Sequence, residues 1–208
     1  TCVSGAFWAA GQNCIGVQRI YIHRDVYDRF KDLFVERTLA YKIGDKMDES
    51  TNMGPMINQG EAKRVERWIA EAVEKGATVL AGGGRTGALM EPTVLENVPK
   101  NATIHHEEVF GPAVNLYPVD NLEDAISEAN SVDYGLHAAG FSRDVETCHR
   151  LIQGLDAGSV LINDSTDYRL DSMPFGGVKT SGLGREGIRF SLAEMTEPKV
   201  VCWYLPGA

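Results

Sequence analysis

The sequence predicts an α/β fold built around a largely parallel sheet. Amphipathic helical patterns alternate along the chain with short β-branched or apolar runs, and strands of that length set between helices belong to βαβ units. No internal repeat, low-complexity tract or Pro/Ser-rich linker divides the chain, so one main domain is expected.

The elements follow in order. A first strand is read at 17–22, and Asp25 caps a helix with Val26, Phe30, Leu33 and Phe34 on one face. After the Gly54-Pro55 break, Ala62, Val65, Ile69 and Val73 repeat that spacing. Further strands are read at 78–80, 113–119, 137–141 and 159–162. Between them, Asn121 with Asp124 three residues on resembles a capping box, opening a helix whose inner face is Leu122, Ala125, Ile126 and Ala129. Val145, Cys148, Leu151, Ile152 and Leu155 form another, which makes Cys148 an inert core thiol.

With 43% apolar and 24% charged residues among 208, the chain has enough apolar material for a sizeable core. Its net charge of −9 leaves no basic stripe to neutralise phosphates or anionic headgroups, which excludes nucleic acid and membrane surfaces as expected partners. No apolar run approaches the ~18 residues of a spanning helix, and Thr1 onward lacks a signal-like core. Cys2, Cys14, Cys148 and Cys202 form no C-x-x-C pair, which points to a reducing compartment and a cytoplasmic protein. The chain opens on Thr1 within a dense apolar stretch (Ala6, Phe7, Trp8, Ala9, Ala10) and reads as a piece of a longer polypeptide.

Three motifs are weighed. Gly182-Leu183-Gly184-Arg185-Glu186-Gly187 matches G-x-G-x-x-G, but Pro174-Phe175-Gly176-Gly177 precedes it where a strand is required, so it is read as a glycine-rich turn opening a short helix. His105-His106-Glu107-Glu108 has no metal-ligand spacing and is read as a polar loop. Cys14 follows a turn permitted by Gly11, where backbone N–H groups can face a thiolate or a neighbouring oxyanion. On residue type alone, an inert core cysteine and a nucleophile both remain open.

Phe7-Trp8-Ala9-Ala10-Gly11-Gln12-Asn13-Cys14, with Arg19 five residues on, closely resembles the active-site cysteine signature of the aldehyde dehydrogenase superfamily. Met53-Gly54-Pro55-Met56, Glu107-Glu108-Val109-Phe110-Gly111-Pro112 and Pro174-Phe175-Gly176-Gly177-Val178-Lys179 agree in the same order, so the resemblance covers the whole chain. It implies a three-layer α/β/α catalytic domain over 1–196 and a C-terminal oligomerisation strand over 197–208, with the cofactor-binding domain absent from this chain. It further implies oxidation of an aldehyde to a carboxylic acid with NAD or NADP, by way of a cysteine thiohemiacetal and thioester. Cys14 matches the nucleophile and its N–H one oxyanion donor. Glu108 matches the glutamate on the nicotinamide ribose, and Phe110 the ring beside the nicotinamide. Phe175 falls where the family lines its substrate tunnel, and Tyr168 and Arg169 stand near the tunnel mouth. The general base and the second oxyanion donor are expected upstream of Thr1, so this chain alone is expected to be inactive. A homodimer or homotetramer and a small polar or anionic aldehyde are the implied partners. Two alternatives stay open: a cysteine hydrolase with His23 as base, and a non-catalytic assembly module.

Overall fold

The computed structural model describes residues 1–207. Helix α1 (Cys2–Phe7) leads through a tight turn at Trp8–Gly11 to β1 (Arg19–His23), α2 (Arg24–Leu39) and α3 (Gln59–Glu74). Next come β2 (Thr78–Ala81), the small hairpin β3 (Arg85–Thr86) and β4 (Leu89–Met90), β5 (Thr93–Glu96), the single turn α4 (Thr103–His106) and β6 (Ala113–Val119). The chain continues with α5 (Leu122–Ala129), β7 (Tyr134–Gly135), β8 (His137–Gly140), α6 (Val145–Gly154), β9 (Ser159–Ile162), β10 (Val178–Lys179) and α7 (Ile188–Glu194).

The central sheet has the order β1-β6-β5-β2. Its β1/β6 and β5/β6 pairs are parallel, while β2 closes one edge antiparallel to β5. A second parallel pair joins β8 to β9. The α/β class and the mainly parallel central sheet therefore agree with the sequence, although the strands divide among four sheets, with the β3/β4 and β7/β10 pairs antiparallel.

Side-chain caps set the helix starts. Asn58, Asn121 and Asp144 each accept a hydrogen bond from the backbone N–H three residues on, satisfying donors the helix itself cannot pair. The cap of α2 is His23, whose Nδ1 accepts from the Asp25 N–H; Asp25 lies in the first turn instead, where its charge meets the positive end of the helix dipole. In α3 the buried stripe is Ala62, Val65, Ile69 and Ala72, with Val73 turned outward. Phe34 is the buried apolar residue of α2, and Leu151 is the buried residue of α6. The helix after Gly187 bears out the reading of the glycine-rich stretch as a turn opening a short helix.

The core lies where α1, α2, α3 and the sheet meet, around the fully buried Phe7, Met53, Leu95, Ile104 and Leu116. Phe7 packs between Phe34 and Tyr41, with ring centroids 6.3 and 5.9 Å away, so the helix leading into the Cys14 segment is anchored in that core. The expected strand at 197–208 is not formed among the described residues. Residues 197–205 are exposed and make no ladder, because an extended segment needs a neighbouring strand to satisfy its backbone and this chain offers none there; Ala208 lies outside the described residues.

Candidate active site

The Cys14 segment is shaped by an unusual backbone. Ala9, Ala10 and Gly11 all take left-handed conformations, with φ of 52°, 56° and 68°. Side chains rarely adopt that region, so the surroundings must hold it. Gly11 has a second reason to be glycine: a Cβ there would lie 2.1 Å from the Gly111 carbonyl oxygen. The turn and the 107–112 loop are therefore packed backbone against backbone.

Beyond Gly11, residues 13–16 form a turn in which Gly16 N–H donates to the Asn13 carbonyl at 3.0 Å and Ile15 N–H donates to Asn13 Oδ1 at 3.2 Å. Gln12 fastens one side by accepting from Ile57 N–H at 2.8 Å, and Thr166 fastens the other by donating Oγ1–H to the Ile15 carbonyl at 2.5 Å. None of these bonds uses the Cys14 N–H. The Cys14 thiol is exposed at the tip of the turn and lines a cavity of about 1410 Å³ that runs along β1 and β8.

Glu108 and Phe110 line the same cavity. Both side chains point outward, while Val109 between them is buried. Phe110 has a φ of 46°, a further left-handed residue at the site. Partial burial raises the Glu108 carboxyl above its ordinary value, and the positive charge of Arg64 opposes that shift. The neighbouring Glu107 accepts a hydrogen bond from the Tyr134 hydroxyl at 3.1 Å.

The substrate-side residues are arranged differently. The Arg169 guanidinium sits over the Phe175 ring at 3.9 Å and pairs with Glu186 at 3.5 Å. The Phe175 ring meets His137 edge-on at 5.3 Å, and His137 lines the cavity. Tyr168 borders a separate hollow of about 270 Å³ with Thr1, Ser4, Asp164 and Asp167. The structure thus places Cys14, Glu108 and Phe110 in the lining of one cavity, links Phe175 and Arg169 to it through His137, and leaves Tyr168 apart.

Sequence reasoning missed His137, Gln18 and Arg64. His137 Nδ1–H donates to the Thr166 carbonyl at 2.8 Å, its buried Nε2 has no partner among the described residues, and burial lowers its pKa. Gln18 lay in plain view four residues after Cys14, but its bonds to the 104–109 segment span some ninety positions and leave no local signal. Among the described residues, no group of three His, Cys, Asp or Glu side chains is placed to hold a metal, and no helix is long and apolar enough to cross a membrane.

Comparison with known proteins agrees with this geometry. Residues 1–201 match the aldehyde dehydrogenase family. Aspartate-semialdehyde dehydrogenase 1 of Pseudomonas canavaninivorans is 48% identical over 202 residues, which are 97% of this chain and 43% of that protein. Aldehyde dehydrogenase 21 of Physcomitrella patens, solved with the reaction product succinate, superposes with a TM-score of 0.96 at 41% identity, covering 99% of this chain and 43% of its own. Glyceraldehyde-3-phosphate dehydrogenase GapN of Methanocaldococcus jannaschii, solved with NADP, superposes with a TM-score of 0.90 at 39% identity, covering 93% and 42%. The chain spans about two fifths of the length of these relatives. A family match over nearly all of its residues, with the cysteine turn and the Glu108 loop meeting at one cavity, means that the chain belongs to the aldehyde dehydrogenase family.

Proposed function

We propose that this chain is the catalytic portion of an enzyme that oxidises a small polar or anionic aldehyde to a carboxylic acid with NAD or NADP. The observation that carries the reading is the shared cavity, lined both by an exposed cysteine in a hydrogen-bonded turn and by Glu108 and Phe110. The hydrolase reading takes His23 as base, but its Nδ1 is engaged as the cap of α2, accepting from the Asp25 N–H.

In this reading Cys14 Sγ bonds to the carbonyl carbon of the aldehyde, and the Cys14 N–H donates to the oxygen as it gains negative charge. The dinucleotide, when bound, supplies the acceptor for the hydride that leaves that carbon. The residues present suit its nicotinamide end: the Glu108 carboxylate offers two acceptor oxygens to neighbouring ribose hydroxyls, and the exposed Phe110 ring offers an apolar face. The chain then holds an acyl group as a thioester on Cys14. Water adds to its carbonyl, the C–S bond breaks, and the acid leaves with the thiolate restored. Glu107 accepts a hydrogen bond from the Tyr134 hydroxyl and is given no part in activating that water.

For the substrate, Arg169 beside Phe175 provides a fixed cation that could exchange its long contact with Glu186 for a carboxylate, phosphate or sulfonate on a short aldehyde. Aspartate semialdehyde and glyceraldehyde-3-phosphate, in the names of two relatives, and succinate, the product bound to a third, all carry such a group. Tyr168 borders the adjoining hollow, so the proposal leans on Arg169 and Phe175. We also assign residues 197–208 to association with further copies in a homodimer or homotetramer, and the free cysteines to a cytoplasmic setting.

The test uses the full-length dehydrogenase. Cys14→Ala should abolish both aldehyde oxidation and ester hydrolysis while dinucleotide binding persists. Arg169→Leu should lower kcat/KM for short anionic aldehydes by roughly 30-fold or more, about 2 kcal/mol, and leave hexanal little changed. Turnover in Cys14→Ala above a small percentage of wild type refutes the nucleophile, and equal losses on both aldehyde classes refute the anionic substrate.

A further inference from the structure

We propose that Gln18 and Arg64 are positioning residues that together clamp the Glu108-Val109-Phe110 segment and set both cofactor-facing side chains relative to Cys14; this rests on the cofactor reading given above. A single carboxamide holds the peptide units on both sides of Glu108. Gln18 Nε2 donates to the Glu107 carbonyl at 2.7 Å, and Gln18 Oε1 accepts from the Val109 N–H at 2.9 Å. With the peptide plane before and the plane after Glu108 both tied to one rigid planar group, the direction of its Cα–Cβ bond is fixed. A longer bond from Nε2 to the Ile104 carbonyl, at 3.3 Å, extends the grip to α4.

The next peptide unit is held from the opposite side. Arg64 Nη2 donates to the Val109 carbonyl at 2.7 Å, immediately before the left-handed Phe110. Arg64 is itself oriented by Glu61, which accepts from its Nε at 2.7 Å, and by the Trp68 ring 4.6 Å beneath its guanidinium. Both polar groups of one buried residue, Val109, thus end on side chains from separate parts of the fold. A phenylalanine in the left-handed region persists only where its surroundings overdetermine it, and these two bonds are part of what does so.

Gln18 also connects this grip to the nucleophile. It lies four residues after Cys14, and its backbone carbonyl accepts from Asn115 N–H at 2.9 Å where β1 begins to pair with β6. Its backbone is therefore fixed by the sheet, while its side chain fixes the cofactor loop. Cys14, Glu108 and Phe110 share one frame, and that is what hydride transfer requires, since small displacements of the reacting groups are costly in rate.

The experiment compares Gln18→Glu, Gln18→Leu and Arg64→Met with wild type in the full-length dehydrogenase. Gln18→Glu keeps the shape and the acceptor for Val109 N–H but loses both donations and sets a second carboxylate beside Glu108. Arg64→Met keeps an apolar stem on Trp68 and loses the bond to Val109. The first readout is the Kd for NADH or NADPH by fluorescence titration, which needs no turnover. The second is ester hydrolysis at Cys14, which needs no hydride acceptor.

Each single variant should raise Kd about tenfold, with a loss in ester hydrolysis at least about fivefold smaller than the loss in aldehyde oxidation. The double Gln18→Glu, Arg64→Met variant should raise Kd by less than the product of the two, because both act on one segment. Kd within twofold of wild type in Gln18→Glu and Arg64→Met overturns the clamp, as do equal losses in the two reactions. If Gln18→Glu fails to fold, an unchanged Kd in Gln18→Leu overturns the clamp in its place. Glu108→Gln distinguishes failure of the clamp from failure of the cofactor site. If it weakens dinucleotide binding while the clamp variants do not, the clamp alone is refuted. If it too leaves Kd unchanged, the cofactor reading is refuted with it.

Discussion

His105 is a titratable ring closed inside the protein: it is 5% exposed, its Nδ1 lies 2.8 Å from the Tyr117 hydroxyl, and the two rings meet edge to face at 5.4 Å. Burial, helped by the nearby Arg19 charge, holds its pKa below the ordinary value of 6.5. The unfolded chain therefore takes up a proton near pH 6.5 while the folded chain still refuses it, and stability falls as the pH drops below that point. The slope is at most about 1.4 kcal/mol per pH unit for one such group, and it ends once the folded-state pKa is passed. His137 is displaced in the same direction and adds to the effect. Denaturant melts at pH 7.5 and 5.5 should show His105→Gln losing less stability on acidification than wild type; equal losses would mean that His105 is not the group responsible. In the sequence, His105 sits in an unbroken polar run, 105–108, which reads as a surface loop. One turn of helix sends His105 inward and His106 outward, and four residues are too few for periodicity to reveal that.

Among elements, those with their own local signals were legible and those defined by distant contacts were not. The cap at Asn121 and the apolar stripe of α3 are local, so the sequence locates these helices to within a few residues, while the Asn58 cap of α3 emerges only from the structure. The outward turn of Val145 and Ile152 on α6 was not legible, because an apolar stripe is buried only where another layer covers it. The Cys14 turn was visible through Gly11, yet its consecutive left-handed alanines were hidden, since no sequence rule places alanine there. The contact between Gly11 and Gly111 supplies a test of that packing. Gly11→Ala brings both a strained φ and a Cβ in collision with backbone, whereas Gly87→Ala, at a φ of 63° with nothing within 4 Å, brings only the strain. Gly87→Ala should cost about 1 kcal/mol, and Gly11→Ala clearly more, about 3 kcal/mol, because neither backbone can give way without moving the cysteine turn from the Glu108 loop. Chemical denaturation of the two variants checks the ordering, and similar costs would show that the two loops part easily.

At the scale of the whole molecule, the tail is the least satisfied part of the structure. Val200 is 94% exposed and Trp203 and Tyr204 are each 82% exposed, with Val201 and Leu205 beside them, so large apolar side chains follow one another in water on a backbone that no strand pairs. Single exposed apolar residues are ordinary, but a contiguous row on an extended segment with free N–H and C=O groups marks a surface that gains free energy when another segment covers it. The alternation of Val200, Cys202 and Tyr204 with Val201 and Trp203 suits a strand that would present different faces to its two sides. Association through the tail would satisfy backbone and side chains together, which neither a helix nor a solvated coil would do for this composition. If the tail carries the association proposed above, deleting Lys199 onward from the full-length protein should lower the mass measured by light scattering toward that of the single polypeptide, with the dilution-dependence of that mass shifted to higher protein concentration. Trp203→Ser and Tyr204→Ser together should act in the same direction without shortening the chain. The core, which centres on Phe7, Leu95, Ile104 and Leu116 and receives nothing from the tail, predicts that near-ultraviolet circular dichroism outside the Trp203 and Tyr204 contributions survives the deletion. A truncated protein of unchanged mass would exclude the tail as the association element and shift attention to the other exposed apolar faces, Ile188 and Leu192 on α7 foremost among them.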